Sequence, residues 1–338
     1  MFNINRICII GAGNVGIACG VELSKRTTCK VILLTSKADK IELPLKMLDT
    51  DTGKIIEGMN ISITSDYRTA LTESDLVIVT VPSFATESVM NEVSKFNPKI
   101  ILFTPGYGNK EKWCLELIKH GCIISGFDRS PYICRLQNLN FVNASKKNRI
   151  RVGCINSDDC KGIADLYSEM FGFECDPLPN YMTVALTPSN PLLHTARLYS
   201  LFKDSNFYTT FPHMIKFYAE WTDESSKVML SMDEELQKLC RKIEKQDGID
   251  LSQVVPLKLH YESPDVPSMT KKIRSIQSFK NIDSPMIKKG DFYLIDKESR
   301  YFKEDFEFGL AILQNYARKY SVETPCMDIV MEWYINLK

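Results

Sequence analysis

Residues near the N-terminus have the types and spacing of a phosphate-binding turn. An apolar run at residues 7–10 leads directly into the sequence GAGNVG at residues 11–16, and a helix-like segment follows. In a G-x-G-x-x-G turn the first glycine permits a sharp bend, the second lets the backbone approach a pyrophosphate, and the third permits close helix packing. The helix N-terminus then presents N–H groups to the phosphates. The predicted dinucleotide contacts are Gly11, Gly13, Asn14, Val15 and Gly16.

The end of the second predicted strand bears on which dinucleotide is bound. Folds that prefer NAD usually place Asp or Glu about 20 residues after the glycines, where the carboxylate accepts a hydrogen bond from the ribose 2′-OH. This chain has Thr35, Ser36 and Lys37 there. Two hydroxyls and a cation could bind a 2′-phosphate, which a carboxylate would repel. The sequence therefore favours NADP(H), and the nearby Asp39 keeps NAD(H) as an alternative.

Hydride chemistry with such a cofactor also requires an acid–base group, and histidine exchanges protons near neutral pH. The chain has four histidines, at positions 120, 194, 213 and 260. His194 stands out because it follows Asn190 and Pro191, a pair that predicts a helix start with Asn190 as the cap. On the residues alone, His194 is either an acid–base group or a buried structural histidine.

The order of the predicted elements indicates how these residues would be positioned. Apolar, strand-like runs at residues 30–34, 76–81, 100–104, 122–125 and 150–155 alternate with helix-like segments. This alternation is typical of a doubly wound α/β sheet, the Rossmann fold, whose ligands bind at the carboxyl ends of the strands. Val81 and Pro82 end one of these strands, and we therefore include them in the predicted cofactor site.

The pattern changes near residues 176–179, beyond which strand signals largely vanish. Residues 225–243 carry an apolar stripe with helical spacing, and residues 309–320 repeat that spacing. We therefore predict two domains, a Rossmann domain at residues 1–178 and a mainly α-helical domain at residues 179–338. A chain of 338 residues is long enough for two cores. Residues 247–291 match no pattern that assigns them an element.

Composition narrows the classes of partner. Lys plus Arg and Asp plus Glu each number 42, so no overall field would attract nucleic acid or an anionic membrane. No apolar stretch approaches the length of a membrane span. The eleven cysteines include no C-x-x-C pair and no zinc-type spacing with histidine. The sequence predicts a cytoplasmic protein without a metal site, with small-molecule partners, and compatible with a homodimer.

Further motifs resemble those of the NAD(P)-dependent octopine/nopaline (opine) dehydrogenase family. Besides the glycine turn they are TVP at residues 80–82, TPGYG at 104–108, SPYICR at 130–135, NPLLH at 190–194, FYAEWT at 217–222 and RYFKEDFEFGL at 300–310. The resemblance implies a Rossmann domain followed by a helical domain of the 6-phosphogluconate-dehydrogenase-like type. It also implies an enzyme that joins a 2-oxo acid to the amine of an amino acid and reduces the resulting imine.

The same resemblance implies roles for individual residues. His194 and Asp305 would form the catalytic pair, Arg300 would bind the substrate carboxylate, and Asn190 would contact nicotinamide or substrate if it does not cap its helix. A carboxylate on one ring nitrogen fixes the tautomer of a histidine and stabilises its imidazolium. A guanidinium fits a carboxylate in a bidentate manner. Read without the resemblance, Asp305 could cap a helix and Arg300 could pair with a neighbouring glutamate.

Two other functions stay open at this point. A ketopantoate-reductase-like or 3-hydroxyacid-type enzyme resembles this chain in both domains and reduces a carbonyl. Such enzymes typically use a helix-borne lysine, and residues 190–194 contain none. A non-catalytic NADP(H)-binding sensor would not need His194, Arg300 or Asp305.

Overall fold

The computed structural model describes residues 2–187 and 189–337. The chain folds into two compact units, of which the first ends at Ala185 and the second begins at Leu186. The boundary predicted after residue 178 lies slightly earlier. The difference arises because the short helix Tyr181–Ala185 packs on strands of the first unit, where the Tyr181 hydroxyl donates a 2.8 Å hydrogen bond to the Gly106 carbonyl.

The first unit alternates strands with helices along the chain. Its strands are β1 (Arg6–Ile10), β2 (Lys30–Leu34), β3 (Leu45–Asp49), β4 (Ile55–Gly58), β5 (Ile61–Thr64), β6 (Leu76–Val79), β7 (Ile100–Phe103), β8 (Ile123–Phe127), β9 (Tyr132–Asn138), β10 (Phe141–Lys146), β11 (Arg149–Cys154) and β12 (Glu174–Pro177). Its α-helices are α1 (Asn14–Arg26), α2 (Tyr67–Leu71), α3 (Ser83–Val93), α4 (Leu115–Lys119), α5 (Cys160–Phe171) and α6 (Tyr181–Ala185).

The main sheet has the strand order β12-β11-β8-β7-β6-β1-β2-β5. The strands from β8 to β5 in this order are mutually parallel, and β11 pairs with β8 in the antiparallel sense. Strands β6 and β7 are buried along their whole length, as expected of parallel strands covered by helices on both faces. The chain leaves β1 toward β2 on one side and returns to β6 on the other. The predicted doubly wound sheet is confirmed, with its switch point between β1 and β6.

A second sheet, in the order β4-β3-β10-β9, was not predicted from the sequence. Strands β3 and β4 lie between β2 and β5 in the chain and pair with each other, and β9 and β10 form an antiparallel hairpin. These strands are short and carry mixed side chains, so their periodicity is weak. The sheet contacts α1, and the side-chain oxygen of Asn14 accepts a 2.8 Å hydrogen bond from the backbone N–H of Leu136 in β9.

The second unit is mainly helical, which confirms the predicted class. Its α-helices are α7 (Ser189–Phe202), α8 (Asp223–Asp247), α9 (Leu257–His260), α10 (Val266–Ser275), α11 (Arg300–Asp305), α12 (Ala311–Lys319) and α13 (Pro325–Asn336). A π-helical segment, Phe306–Leu310, joins α11 to α12. The unit also contains a hairpin, β13 (Met286–Lys289) and β14 (Phe292–Ile295), that the sequence did not indicate. Residues 247–291, left unassigned, thus contain α9, α10 and β13.

Capping explains where the longest helix begins and ends. The Thr222 side chain accepts a hydrogen bond from the Ser225 N–H at the start of α8, and Gly248 ends the helix at a φ of 68°.

Within the described ranges, no helix combines the length and the apolar character that crossing a membrane requires.

Candidate active site

His194 on α7 and Asp305 at the end of α11 are 111 residues apart in the chain and form a direct hydrogen bond. The His194 Nδ1 and the Asp305 Oδ2 lie 2.7 Å apart, and the two residues are only 8% and 5% exposed. An ionised carboxylate can only accept, so Nδ1 carries the proton and Nε2 of the neutral ring has a lone pair. Burial reduces screening by water, which strengthens the pair. Asp305 therefore contacts a histidine and does not cap a helix.

The π-helical segment after Asp305 brings α11 against the first turn of α7. A Cβ atom on Gly309 would lie 2.5 Å from Cγ and 2.6 Å from Cβ of Pro191, closer than real Cβ contacts. Glycine is therefore required at this position for the two segments to touch. π-Helical turns are rare and occur frequently at functional sites. Here the turn follows Asp305, the residue that contacts His194, and fixes the position of its helix.

Tyr218 is a site residue that the sequence reasoning missed. Its hydroxyl lies 2.7 Å from Nε2 of His194, the ring nitrogen opposite Asp305. Burial is the largest cause that raises the pKa of Tyr218, and nearby Tyr301, Tyr261 and Asp305 add to it, so the phenol stays neutral. The signal that could have found it was its place in the FYAEWT motif at residues 217–222.

Arg197 holds the segment that carries Tyr218. Its guanidinium is 1% exposed and donates hydrogen bonds to the carbonyls of Phe217, at 2.9 Å, and Glu220, at 2.8 Å. Burial lowers the pKa of Arg197 to about 10, so the group is still charged at neutral pH. Because Arg197 lies one helical turn after His194 on α7, the helix that carries the histidine also fixes its tyrosine partner.

The two predicted substrate residues are exposed. Arg300 is the first residue of α11, and within residues 2–187 and 189–337 its guanidinium has no hydrogen bond or ion pair. The neighbouring Glu298 pairs with Lys303 instead. Asn190 is the second residue of α7, which begins at Ser189. Since α7 already includes Asn190, the interpretation of Asn190 as the helix cap is wrong. Pro191 lies in the first helical turn, where its missing N–H costs little.

The predicted cofactor turn lies between β1 and α1. Gly11 has a φ of 110°, and a Cβ there would lie 2.7 Å from the Thr80 hydroxyl oxygen. Gly13 has no other atom within 4 Å of an added Cβ, so the space over the N-terminus of α1 is open. A Cβ on Gly16 would overlap the Gly11 carbonyl. The first and third glycines thus meet steric requirements, and the second leaves the approach that a pyrophosphate would use.

The other predicted cofactor residues follow the strands on either side of β1. Thr35, Ser36 and Lys37 come after β2, while Val81 and Pro82 come after β6. Since β2, β1 and β6 are adjacent and parallel, these three loops leave the same edge of the sheet. Ser36 and Lys37 are exposed.

In the part of the chain that is described, no three His, Cys, Asp or Glu side chains form a group that could hold a metal ion.

Comparison with known families identifies both halves of the chain. The model of the α-helical domain of NAD/NADP octopine/nopaline dehydrogenases matches residues 177–337, and the ketopantoate reductase model matches residues 7–141. These matches support the opine dehydrogenase family, with the α-helical domain of that family at residues 177–337. The dehydrogenases among the relatives indicate an NAD(P)-dependent oxidoreductase.

Relatives in the octopine/nopaline dehydrogenase family match this chain over almost its whole length. Tauropine dehydrogenase of Arabella iricolor is 23% identical, over 97% of this chain and 90% of its own. Octopine dehydrogenase solved with NADH and L-arginine has a TM-score of 0.82 at 20% identity, covering 98% of this chain and 88% of that one. The same enzyme with NADH and pyruvate gives the same score and coverage at 19% identity. Yersinopine dehydrogenase with NADP+ bound has a TM-score of 0.74 at 12% identity, with coverage of 100% and 91%. At these identities the structural likeness shows a common fold.

Proposed function

We propose that this protein is an opine-type dehydrogenase that condenses a pyruvate-like 2-oxo acid with the amino group of an amino acid and reduces the imine with NAD(P)H. The observation that carries the proposal is the buried hydrogen bond between His194 and Asp305, with the exposed Arg300 on the same helix as Asp305. The structures of octopine dehydrogenase with NADH and either L-arginine or pyruvate support this choice of substrates.

The chemistry explains why these residue types are suited to the reaction. Imine formation requires that a proton leave the attacking amine and that another reach the hydroxyl of the carbinolamine, which departs as water. Neutral His194 can take the first proton, and its imidazolium, stabilised by the Asp305 carboxylate, can return one. The Arg300 guanidinium would hold the carboxylate of the oxo acid. When bound, the reduced nicotinamide supplies the hydride for the imine carbon.

For the cofactor we propose NADP(H), with NAD(H) as the alternative. Support comes from the exposed Ser36 and Lys37, which follow Thr35 at the end of β2 where NAD-preferring folds have a carboxylate. Asp39, also exposed, is the residue that would favour NAD(H).

A cytoplasmic location fits the eleven cysteines, which are free thiols in this structure.

A second candidate is a carbonyl reductase of the ketopantoate reductase kind. The match of that family's model to residues 7–141 favours it. This match covers the cofactor half and does not reach His194, Arg300 or Asp305.

The decisive experiment follows oxidation of NADPH and of NADH by the purified protein, first with pyruvate alone and then with pyruvate plus each amino acid in turn, with mass spectrometry of the product. We expect oxidation that depends on the amino acid, a secondary-amine product, and a faster rate with NADPH. Oxidation with pyruvate alone would favour the carbonyl reductase. Absence of oxidation across a matrix of oxo acids and amino acids would contradict both enzymes and favour a sensor. A clear preference for NADH would overturn the NADP(H) assignment.

A further inference from the structure

Both ring nitrogens of His194 are occupied by protein side chains. Asp305 contacts Nδ1 and the Tyr218 hydroxyl contacts Nε2, each at 2.7 Å. The Tyr218 hydroxyl is in turn hydrogen-bonded to the hydroxyl of Tyr301, whose ring packs edge-on against the His194 ring at 4.6 Å between centroids. The four side chains form a continuous series of hydrogen bonds from a buried carboxylate to the partly exposed Tyr301 on α11.

We propose that Tyr218 and Tyr301 form a hydroxyl relay through which His194 exchanges protons with the exposed start of α11, where Arg300 precedes Tyr301. This inference rests on the acid–base role proposed above for His194. The two tyrosines act through the histidine, and Tyr218 also positions its ring.

Hydroxyl groups suit a relay because each one donates one hydrogen bond and accepts others. With neutral His194, Tyr301 donates to Tyr218 and Tyr218 donates to Nε2. When a proton arrives at Tyr301, each hydroxyl passes its own proton inward, so each gains one proton and loses one. His194 becomes imidazolium, and the direction of every hydroxyl bond reverses. The net change is one proton moved, without a charged phenol remaining at either tyrosine.

The surroundings hold the relay in one geometry. The Phe279 ring stacks on the Tyr218 ring with centroids 4.2 Å apart and an angle of 19°, and the buried Trp221 lies nearly parallel to it at 6.2 Å. Arg197 fixes the backbone on both sides of Tyr218. A rigid, buried phenol cannot rotate away to bond water, so its hydroxyl keeps His194 and Tyr301 as partners.

The titratable groups that face this relay come from separate elements. Asp305 and Tyr301 come from α11, Tyr218 comes from the segment before α8, and Tyr261, just after α9, helps to raise the pKa of Tyr218. The cation nearest in sequence on α7 is Arg197, whose hydrogen bonds go to the Tyr218 segment and to the Ser225 hydroxyl. Asp305 is therefore the carboxylate that contacts the ring of His194.

The kinetic test uses Tyr218→Phe, Tyr301→Phe and their combination, with Tyr199→Phe as the matched control on α7. Tyr199 packs its ring against Trp333 and takes no part in the relay. We expect each relay variant to lower kcat by about a hundredfold, as loss of acid–base catalysis does. The double variant should be no slower than either single one, since both cut one series of bonds. A kcat for Tyr301→Phe within twofold of wild type, or multiplied effects in the double variant, would overturn the relay.

A measurement without turnover separates this inference from the proposed function. In protein with 15N-labelled histidine, the NMR shifts of the two ring nitrogens of His194 report which one carries the proton and whether the other accepts a hydrogen bond. We expect Tyr218→Phe to move the Nε2 resonance of His194, because this nitrogen loses its hydroxyl partner. Tyr199→Phe should leave that resonance unchanged. If the resonance moves in a protein inactive with every oxo acid and amine, the proposed function fails and the hydrogen-bond series stands. If the protein is active and the Nε2 resonance does not move, the relay fails alone.

Discussion

At the scale of single residues, the charge of Asp305 decides which tautomer His194 adopts. The carboxylate accepts from Nδ1 at 2.7 Å, so Nε2 is the nitrogen free of a proton in the neutral ring. Asp305→Asn can donate from its amide and would favour the other tautomer. We expect kcat to fall by roughly ten-thousandfold, as for a triad whose Asp is replaced by Asn, with cofactor affinity almost unchanged. His194→Ala should abolish turnover with the same retention of cofactor binding. Steady-state kinetics and cofactor titration measure these effects.

The matched control is Asp283→Asn, which also removes one carboxylate from an ion pair in the second unit. Asp283 pairs with Lys216 at 2.5 Å, and both side chains are substantially exposed. Exposed pairs contribute little to stability. Activity of this variant should equal that of the wild type. Near-normal turnover of the Asp305→Asn or His194→Ala protein would refute the catalytic pair.

At the scale of elements, the contact between the π-helical segment and α7 aligns Asp305 with His194, the proposed catalytic pair. Gly309→Ala places a methyl group 2.5 Å from Pro191, so one segment must move. Overpacking of this kind costs about 1–3 kcal/mol, and a displacement of an ångström near reacting groups costs about a hundredfold in rate. We therefore expect a lower unfolding midpoint and a kcat reduced by at least tenfold, measured by urea titration and by kinetics.

Gly162→Ala provides the comparison, because Gly162 is also in a helix but has room for a side chain. Its nearest neighbour, the Phe2 ring, would lie 3.4 Å from an added Cβ. Alanine is favoured over glycine in helices by about 1 kcal/mol, so this variant should be as stable as wild type or more so, with full activity. Equal stability of the two variants would contradict the steric role of Gly309.

At the scale of the whole molecule, the 42 cationic and 42 acidic side chains balance, so little overall charge repulsion acts on the folded chain near neutral pH. Individual buried groups with shifted pKa values then make the free energy of unfolding depend on pH. Burial raises the pKa of Asp233 on α8 from 3.8 to about 6, despite a hydrogen bond from the Leu257 N–H. The folded protein then keeps a proton that the unfolded chain releases between pH 4 and 6. The contribution of this group to the free energy of unfolding therefore decreases as pH rises through that window, by roughly 3 kcal/mol.

Asp233→Asn tests this contribution, because the amide oxygen can still accept from Leu257 and does not titrate. We expect the variant to gain about 2 kcal/mol relative to wild type between pH 4 and pH 7, measured by urea unfolding at each pH. Glu234→Gln, the adjacent residue with an exposed side chain paired to Lys258, should show no such gain. The same pH dependence in wild type and Asp233→Asn would contradict the raised pKa.

The sequence by itself determined the features that depend on neighbours along the chain. The glycine turn at residues 11–16, the buried strands β6 and β7, and the helical stripe at residues 225–243 all follow from local spacing and side-chain type. The two-part architecture followed from the change in these patterns. Family motifs supplied the pairing of His194 with Asp305, which no local pattern contains.

The tertiary structure decided which side chains meet across long intervals. It alone placed Tyr218 on the second nitrogen of His194, brought Gly309 against Pro191, and built a second sheet from short strands of weak periodicity. Periodicity reports which face of an element is buried, but it carries no information about which other face covers it. Partners that are 24 to 111 residues apart, such as those of His194, are selected by the packing of whole helices, and that packing is a property of the folded chain.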